Sequence, residues 1–187
     1  MGLFVTVHLL SVLLHPMQPG TQKERSAVLP DATSAQSKKE QVAEMFNNIA
    51  GHYDFLNHFL SLGIDRTWRK KAIKVVQSVQ PRQILDVATG TGDLAIAAAK
   101  AVPDASITGA DIAREMLEEG KKKIGNLQMS SRIEMMQADS EHLPFDNARF
   151  DAVMCAYGVR NFEHLEKGLT EMARVLRPGG QLALLEF

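Results

Sequence analysis

The spacing of hydrophobic residues changes at Pro81, and the change divides the chain into two patterns. Before it, Val42, Met45, Phe46 and Ile49 recur at helical intervals and give one helix an apolar face. Ser37, with Glu40 three residues on, predicts where that helix starts, because each side chain can satisfy a free backbone N–H of the first turn. A second apolar segment, YDFLNHFLSLG, ends in Gly63, a residue that suits a helix stop. A third, over 66–79, carries Trp68, Ala72, Ile73, Val75, Val76 and Val79 and is closed by Pro81.

Beyond Pro81, short apolar runs alternate with helical patterns. ILDVA (84–88), SITGAD (106–111), IEMMQAD (133–139), FDAVMCA (150–156) and QLALLEF (181–187) read as buried strands. Helices are predicted over DLAIAAAKA, through Met116, Leu117 and Ile124, and over 165–176, after which RPGG turns the chain. Strands separated by helices pair in parallel through right-handed crossovers. The expected fold is α/β: a doubly wound, mainly parallel sheet preceded by N-terminal helices. QLALLEF ends the sequence, so it is expected to be an uncovered edge of a truncated product that lacks further C-terminal strands.

Residues 1–36 are expected to lie outside this domain, which spans 37–187. Residues 3–14 form an apolar run of signal-peptide length, too short to span a bilayer. No Lys or Arg precedes the run and no small-residue cleavage pattern follows Pro16, so an early coding start, with Met17 as a later one, accounts for it better. A weak membrane-associating segment is the alternative. From Pro19 to about Lys39 the composition is polar and charged and reads as a disordered tail.

Composition adds exclusions. A formal net charge of −1 over 187 residues argues against a nucleic-acid partner. Cys155 is the single cysteine and lies in an apolar run, so it reads as a small core residue in a reducing, intracellular compartment. No His, Cys or carboxylate cluster has metal-ligand spacing, and no metal is expected.

The candidate chemistry begins in DVATGTGDLA, 86–95, where a strand ends, Gly90-Thr91-Gly92 turns the backbone, and a helix begins. Glycines let main chain approach a ligand, and a helix start offers it free N–H groups. A dinucleotide would use the same turn for its pyrophosphate. Asp93 in the first turn would repel that charge, however, and the acidic pair Asp86 and Asp93 suits a cationic ligand better. S-adenosylmethionine, with a sulfonium, an amino group and no phosphate, fits. Asp111 ends the second strand about 20 residues beyond the turn, the spacing of a carboxylate that grips ribose hydroxyls. As an alternative it caps the helix that follows. The third strand ends in Asp139-Ser140, where an acid can accept from an adenine amino group. Three successive strand ends therefore converge on one crevice.

DVATGTGD, ADIAREML, ADSEHLPF and RVLRPGG together resemble the class I S-adenosylmethionine-dependent methyltransferases. YDFLNHFLSLGIDRTW and AYGVRNF narrow the resemblance to the ubiquinone/menaquinone C-methyltransferases, the UbiE and MenG type, over residues 42–187. The resemblance implies cofactor contacts at Thr91, Asp111 and the Asp139-Ser140 pair. It implies a polyprenylated quinol substrate, demethylmenaquinol or the ubiquinone-precursor benzoquinol, and a cytoplasmic protein peripheral to the inner membrane. Ala156 stands where ubiquinone-competent members often carry serine, which favours menaquinone; Asp65 replaces a common histidine. Tyr53 resembles a residue placed over the pocket, though a tyrosine in an amphipathic helix also serves packing. Arg160, in AYGVRNF, is too basic to act as a base but can stabilise an oxyanion or orient a water. Its alternative is a salt bridge in a loop. His52, His58, His142 and His164 are candidate proton acceptors, each equally at home on a surface. Phe46, Phe55, Leu56, Phe59, Leu60 and Leu62 are candidates to lid the pocket and receive a polyprenyl tail.

Overall fold

The computed structural model describes residues 6–11, 35–61 and 64–186, with the backbone alone for 6–11, 52, 54–61 and 64–66. In chain order the elements are β1 (Thr6–Ser11), α1 (Lys38–Ser61), α2 (Ile64–Gln77), β2 (Gln83–Val87), α3 (Asp93–Ala101), β3 (Ser106–Asp111), α4 (Arg114–Asn126), β4 (Ile133–Gln137), β5 (Phe150–Ala156), α5 (Leu165–Val175) and β6 (Leu176–Glu186). The strands form one sheet in the order β1-β6-β5-β2-β3-β4, and every pairing is parallel.

Alternation along the strands sorts the core onto the two faces of the sheet. Ile84, Ile107, Ala152, Met154 and Ala183 pack with α2, α3 and α4 through Ile73, Val76, Leu94, Ala98 and Leu117. Leu85, Val87, Val153, Cys155, Leu182 and Leu184 face the other way and pack with α5 through Met172 and Val175. A strand covered on both faces needs an apolar residue at nearly every position, which is why these segments read as continuous hydrophobic runs.

Three differences from the sequence reading have physical causes. Thr6–Ser11 was expected outside the fold, yet it pairs in parallel with β6, Thr6 opposite Gln181 through Ser11 opposite Glu186. An apolar run beside an open strand satisfies that strand's unpaired N–H and C=O groups, so β6 is not the bare edge expected. RPGG was expected to be a turn before the last strand. It lies inside β6 as a bulge, where the register passes from Phe150 opposite Leu176 to Ala152 opposite Gln181. The first two helical segments are one helix, α1, which runs through Gly51 because nothing there forces a break.

Ser37 and Glu40 cap α1 reciprocally: the Ser37 N–H donates to Glu40 Oε2 at 2.7 Å, and the Glu40 N–H donates to Ser37 Oγ at 3.3 Å. Among the described residues no helix is long and apolar enough to cross a membrane. The side chains of His52, Phe55, Leu56, His58, Phe59, Leu60 and Asp65, and all of Leu62, lie outside the described residues.

Candidate functional site

From β2 the chain proceeds outward through β3 to β4, whereas β5 and β6 lie on the opposite side of β2. Strand order reverses between β2 and β5, and the crevice outside the carboxyl ends of such strands is where open α/β sheets hold ligands. At that point the segments after β2 and β5 both turn through the left-handed region without glycine: Ala88 has φ 54° and Tyr157 φ 60°. Conformations of this kind cost about 1–3 kcal/mol each and persist where the surroundings impose them. Gly158 is part of that constraint, because a Cβ there would sit 2.5 Å from the Ala88 Cβ.

The glycine turn that follows Ala88 is braced from three directions. Thr89 Oγ1 donates to Asp86 at 2.6 Å, the Thr89 N–H donates to the Ala110 carbonyl at 3.1 Å, and the Gly92 N–H returns to the Thr89 carbonyl at 2.9 Å. Gly90 and Gly92 have φ of 55° and 80°, so these two positions do require glycine's freedom. Asp111 ties the turn to β3: Oδ2 accepts from the Gly90 N–H at 2.7 Å and Oδ1 from the Ala113 N–H at 2.9 Å. Its capping alternative holds in part: Asp111 satisfies the Ala113 N–H at the start of α4, while Ala113 itself is the cap residue. Burial raises the Asp111 pKa against those two hydrogen bonds.

A cleft with about 760 Å³ of free space, its open mouth included, lies over these strand ends. Gly90, Asp111, Asp139 and Ser140 line it together with Tyr53 from α1. A second cleft of about 450 Å³, also bordered by Tyr53, Ala88, Gly90 and Tyr157, extends beneath the glycine turn to Thr91, Asp86 and Asp93. The predicted residues are thus brought together, apart from two. Gly92 shapes the turn and lines neither cleft. Arg160 also lines neither: on the 3-10 turn Val159–Asn161 its guanidinium sits 3.5 Å from Glu186, as the salt-bridge reading had it. Its neighbours Asn161 and Phe162 face the cleft instead.

Spacing gave no sign of Lys39. Its ammonium lies 2.7 Å from Asp139, 3.7 Å from Glu141 and 4.0 Å from Glu163, and joins the start of α1 to the cleft wall. The hydrogen bond to Asp139 raises the Lys39 pKa. Burial pushes Asp139 upward, but the hydrogen bonds from Lys39 and the Glu141 N–H outweigh it and hold the carboxyl below the usual range.

Asp93 departs from the charge argument made for it. Its carboxylate accepts from Arg69 at 2.7 Å and Lys123 at 2.8 Å, so it is compensated twice over and offers little field to a ligand cation. Asp86 behaves differently. Burial drives its carboxyl up to about 7 despite the Thr89 hydrogen bond.

The larger cleft tests which ligand class fits. Its charged lining is Asp111, Asp139, Glu141 and Glu163 against Lys39 alone, an excess of carboxylates that disfavours a pyrophosphate. Val87, Ile112, Met116, Leu143 and Phe162 give it apolar walls suited to a flat base. A nucleoside without phosphates matches both properties. Among the described residues no group of His, Cys, Asp and Glu is placed to hold a metal ion.

Residues 34–187 match the ubiE/COQ5 methyltransferase family. A protein of Porphyromonas gingivalis named demethylmenaquinone methyltransferase is 49% identical over 151 residues, which cover 80% of this chain and 62% of that protein. One of Geotalea daltonii, named ubiquinone/menaquinone biosynthesis C-methyltransferase UbiE, is 48% identical over 151 residues, 80% of this chain and 64% of its own length. The chain therefore spans less than two thirds of these curated relatives. The crystal structure of the cyclase SpnF superposes with a TM-score of 0.70 at 20% identity, covering 81% of this chain and 61% of that one, and so shares the fold.

Proposed function

The chain belongs to the ubiE/COQ5 methyltransferase family, and from that premise we propose that it methylates a ring carbon of demethylmenaquinol, with S-adenosylmethionine as the donor. The observation that carries this reading is the convergence of Gly90, Asp111, Asp139 and Ser140, from three strand ends, on one acidic and apolar cleft under Tyr53. S-adenosylmethionine would supply an electrophilic methyl carbon on a sulfonium. Asp111 would accept from its ribose hydroxyls. Asp139 and Ser140 would meet the adenine edge, and Gly90 and Thr91 would border the rest of the molecule.

A quinol ring carbon would become nucleophilic when the neighbouring hydroxyl, reference pKa about 10, gives up its proton to water. Methyl transfer would release S-adenosylhomocysteine, and loss of the ring proton to water would restore the aromatic ring. Tyr53, which lines both clefts, can donate to the resulting oxyanion. Its ring also packs edge-on against Phe46, 5.9 Å between centroids, which fixes the hydroxyl's position. Arg160 would stabilise the same oxyanion after exchanging its 3.5 Å contact with Glu186 for it. Holding the carbon in line with the methyl group can supply about 7–11 kcal/mol of barrier lowering. The polyprenyl tail of such a substrate would bring the protein to a membrane surface without a spanning helix.

Tritium transfer from labelled S-adenosylmethionine to demethylmenaquinol and to the ubiquinone-precursor benzoquinol tests the substrate. The naphthoquinol is expected to take the label. Turnover of the benzoquinol alone would overturn the assignment, and Ala156, where a serine hydroxyl would add a cofactor contact, is the reason for preferring the former.

A further inference from the structure

One ammonium faces three carboxylates in the wall of the larger cleft. Lys39 Nζ lies 2.7 Å from Asp139 Oδ2, 3.7 Å from Glu141 Oε2 and 4.0 Å from Glu163 Oε2. The two glutamates are engaged with main chain as well: Glu141 Oε1 accepts from the His164 N–H at 2.8 Å, and Glu163 Oε1 from the Lys38 N–H at 3.1 Å. Lys39 gives its short contact to Asp139. The ammonium is itself held in place, because the Ser37 cap sets the start of α1 and Lys38 Nζ donates to the Phe162 carbonyl at 2.7 Å.

This contact fixes Asp139 in both orientation and protonation. Oδ2 accepts from Lys39 on α1 while Oδ1 accepts from the Glu141 N–H of its own loop at 2.9 Å, so two donors hold the plane of the carboxylate. His142 is a more distant neighbour, its Nδ1 3.5 Å from Oδ2. Its Nε2 accepts from the Lys167 ammonium at 2.7 Å, which leaves Nδ1 to carry the ring proton. An ionised carboxylate has about four lone-pair sites and no proton, so Asp139 can accept once more from a ligand and can donate to none. Without Lys39 the charges beside it would be those of Glu141 and Glu163, which favour its protonated form. Such an acid could turn and donate.

We propose that Lys39 is a positioning residue for the purine end of the cofactor: by holding Asp139 as a fixed acceptor in the larger cleft, it makes the site select a 6-amino purine over a 6-oxo one. The assignment rests on S-adenosylmethionine being the ligand, with Asp139 at the purine edge. A 6-amino group offers the N–H that Asp139 requires. A 6-oxo group sets a second acceptor against it, and two acceptors without a proton between them lose the hydrogen bond and repel. The first turn of α1 thereby takes part in ligand choice, with Val42 and Phe46 of the same helix lining the same cleft beyond it.

Calorimetric titration of the full chain with S-adenosylhomocysteine and S-inosylhomocysteine tests it, since these ligands differ only at the purine 6-position and in the proton on N1. The unsubstituted protein is expected to prefer the adenosyl ligand on the order of 10- to 100-fold. Lys39→Met should cut that preference on the order of 10-fold, by weakening the adenosyl ligand while the inosyl ligand binds as before or better. Retained binding of the inosyl ligand also certifies that the variant is folded. Lys39→Arg, which returns a charged donor to Asp139, should recover most of the preference. An equal loss on both ligands, a preference that Lys39→Met leaves unchanged, or no preference in the unsubstituted protein would overturn the assignment and leave Lys39 a tether for α1. Failure of the unsubstituted protein to bind S-adenosylhomocysteine would instead remove the cofactor reading itself, and the role of Lys39 with it.

Discussion

Burial beneath the glycine turn moves the Asp86 carboxyl from 3.8 to about 7, against the hydrogen bond it accepts from Thr89. The folded state then holds a proton more tightly than the unfolded chain. This residue's contribution to stability is therefore complete below pH 4 and is lost as pH rises toward 7. Asp86→Asn keeps an acceptor for Thr89 and removes the titration, so it should stabilise the protein at pH 8, by at most about 4 kcal/mol, and barely at pH 4. Melting temperatures at the two pH values check this; an equal change at both would contradict it. Arg160→Ala separates the two readings of that residue. We expect a fall in kcat on the order of 100-fold with unchanged affinity for S-adenosylhomocysteine. An unchanged kcat would rule out the oxyanion role and favour the salt-bridge reading with Glu186. Strand-end logic pointed to Gly90, Thr91, Asp111, Asp139 and Ser140, which line the two clefts because each sits where a hydrophobic run stops. It could not locate Lys39 or Arg69, since their partners lie 100 and 24 positions away and leave no local pattern.

Among the elements, α1 carries the most information beyond its own periodicity. Lys38 and Lys39 at its first turn reach across the cleft, Lys38 Nζ to the Phe162 carbonyl at 2.7 Å and Lys39 to Asp139 at 2.7 Å. Asp139 is held below the usual carboxylate range, so the Lys39 contact is present at neutral pH and is lost only as the pH falls through that lowered value. Lys39→Met should accelerate hydrogen exchange of amides 41–50 severalfold and leave those of β2 and β3 unchanged. Unchanged exchange in α1 would show that its apolar face, through Val42 and Ala50, is anchor enough. The strands were legible because a doubly covered sheet permits few polar interruptions. The β6 bulge was not, since RPGG has the composition of a turn, and only the pairing of Phe150 with Leu176 keeps the chain in the sheet before it.

At the scale of the molecule, the sheet from β4 to β6 follows from alternation of strand and helix, and its far edge does not. Thr6–Ser11 lies 165 or more residues before its partner strand, and its hydrophobicity alone fits a membrane segment, a leader or a strand. Removing residues 1–16 should uncover β6, lower the melting temperature and promote concentration-dependent association through the open edge. Monodispersity and an unaltered melting temperature would show that β1 contributes nothing to the sheet. The proposed reaction rests on the same architecture: a switch point between β2 and β5, a crevice lined mainly by carboxylates and apolar residues, and a tyrosine in its wall. The most direct measurement of that account is to incubate the protein with demethylmenaquinol and S-adenosylmethionine carrying a CD3 group, then locate the label by mass spectrometry and NMR. We predict one CD3 on a ring carbon in place of hydrogen, whereas label on oxygen, or an unlabelled quinol while the cofactor remains bound, would contradict it.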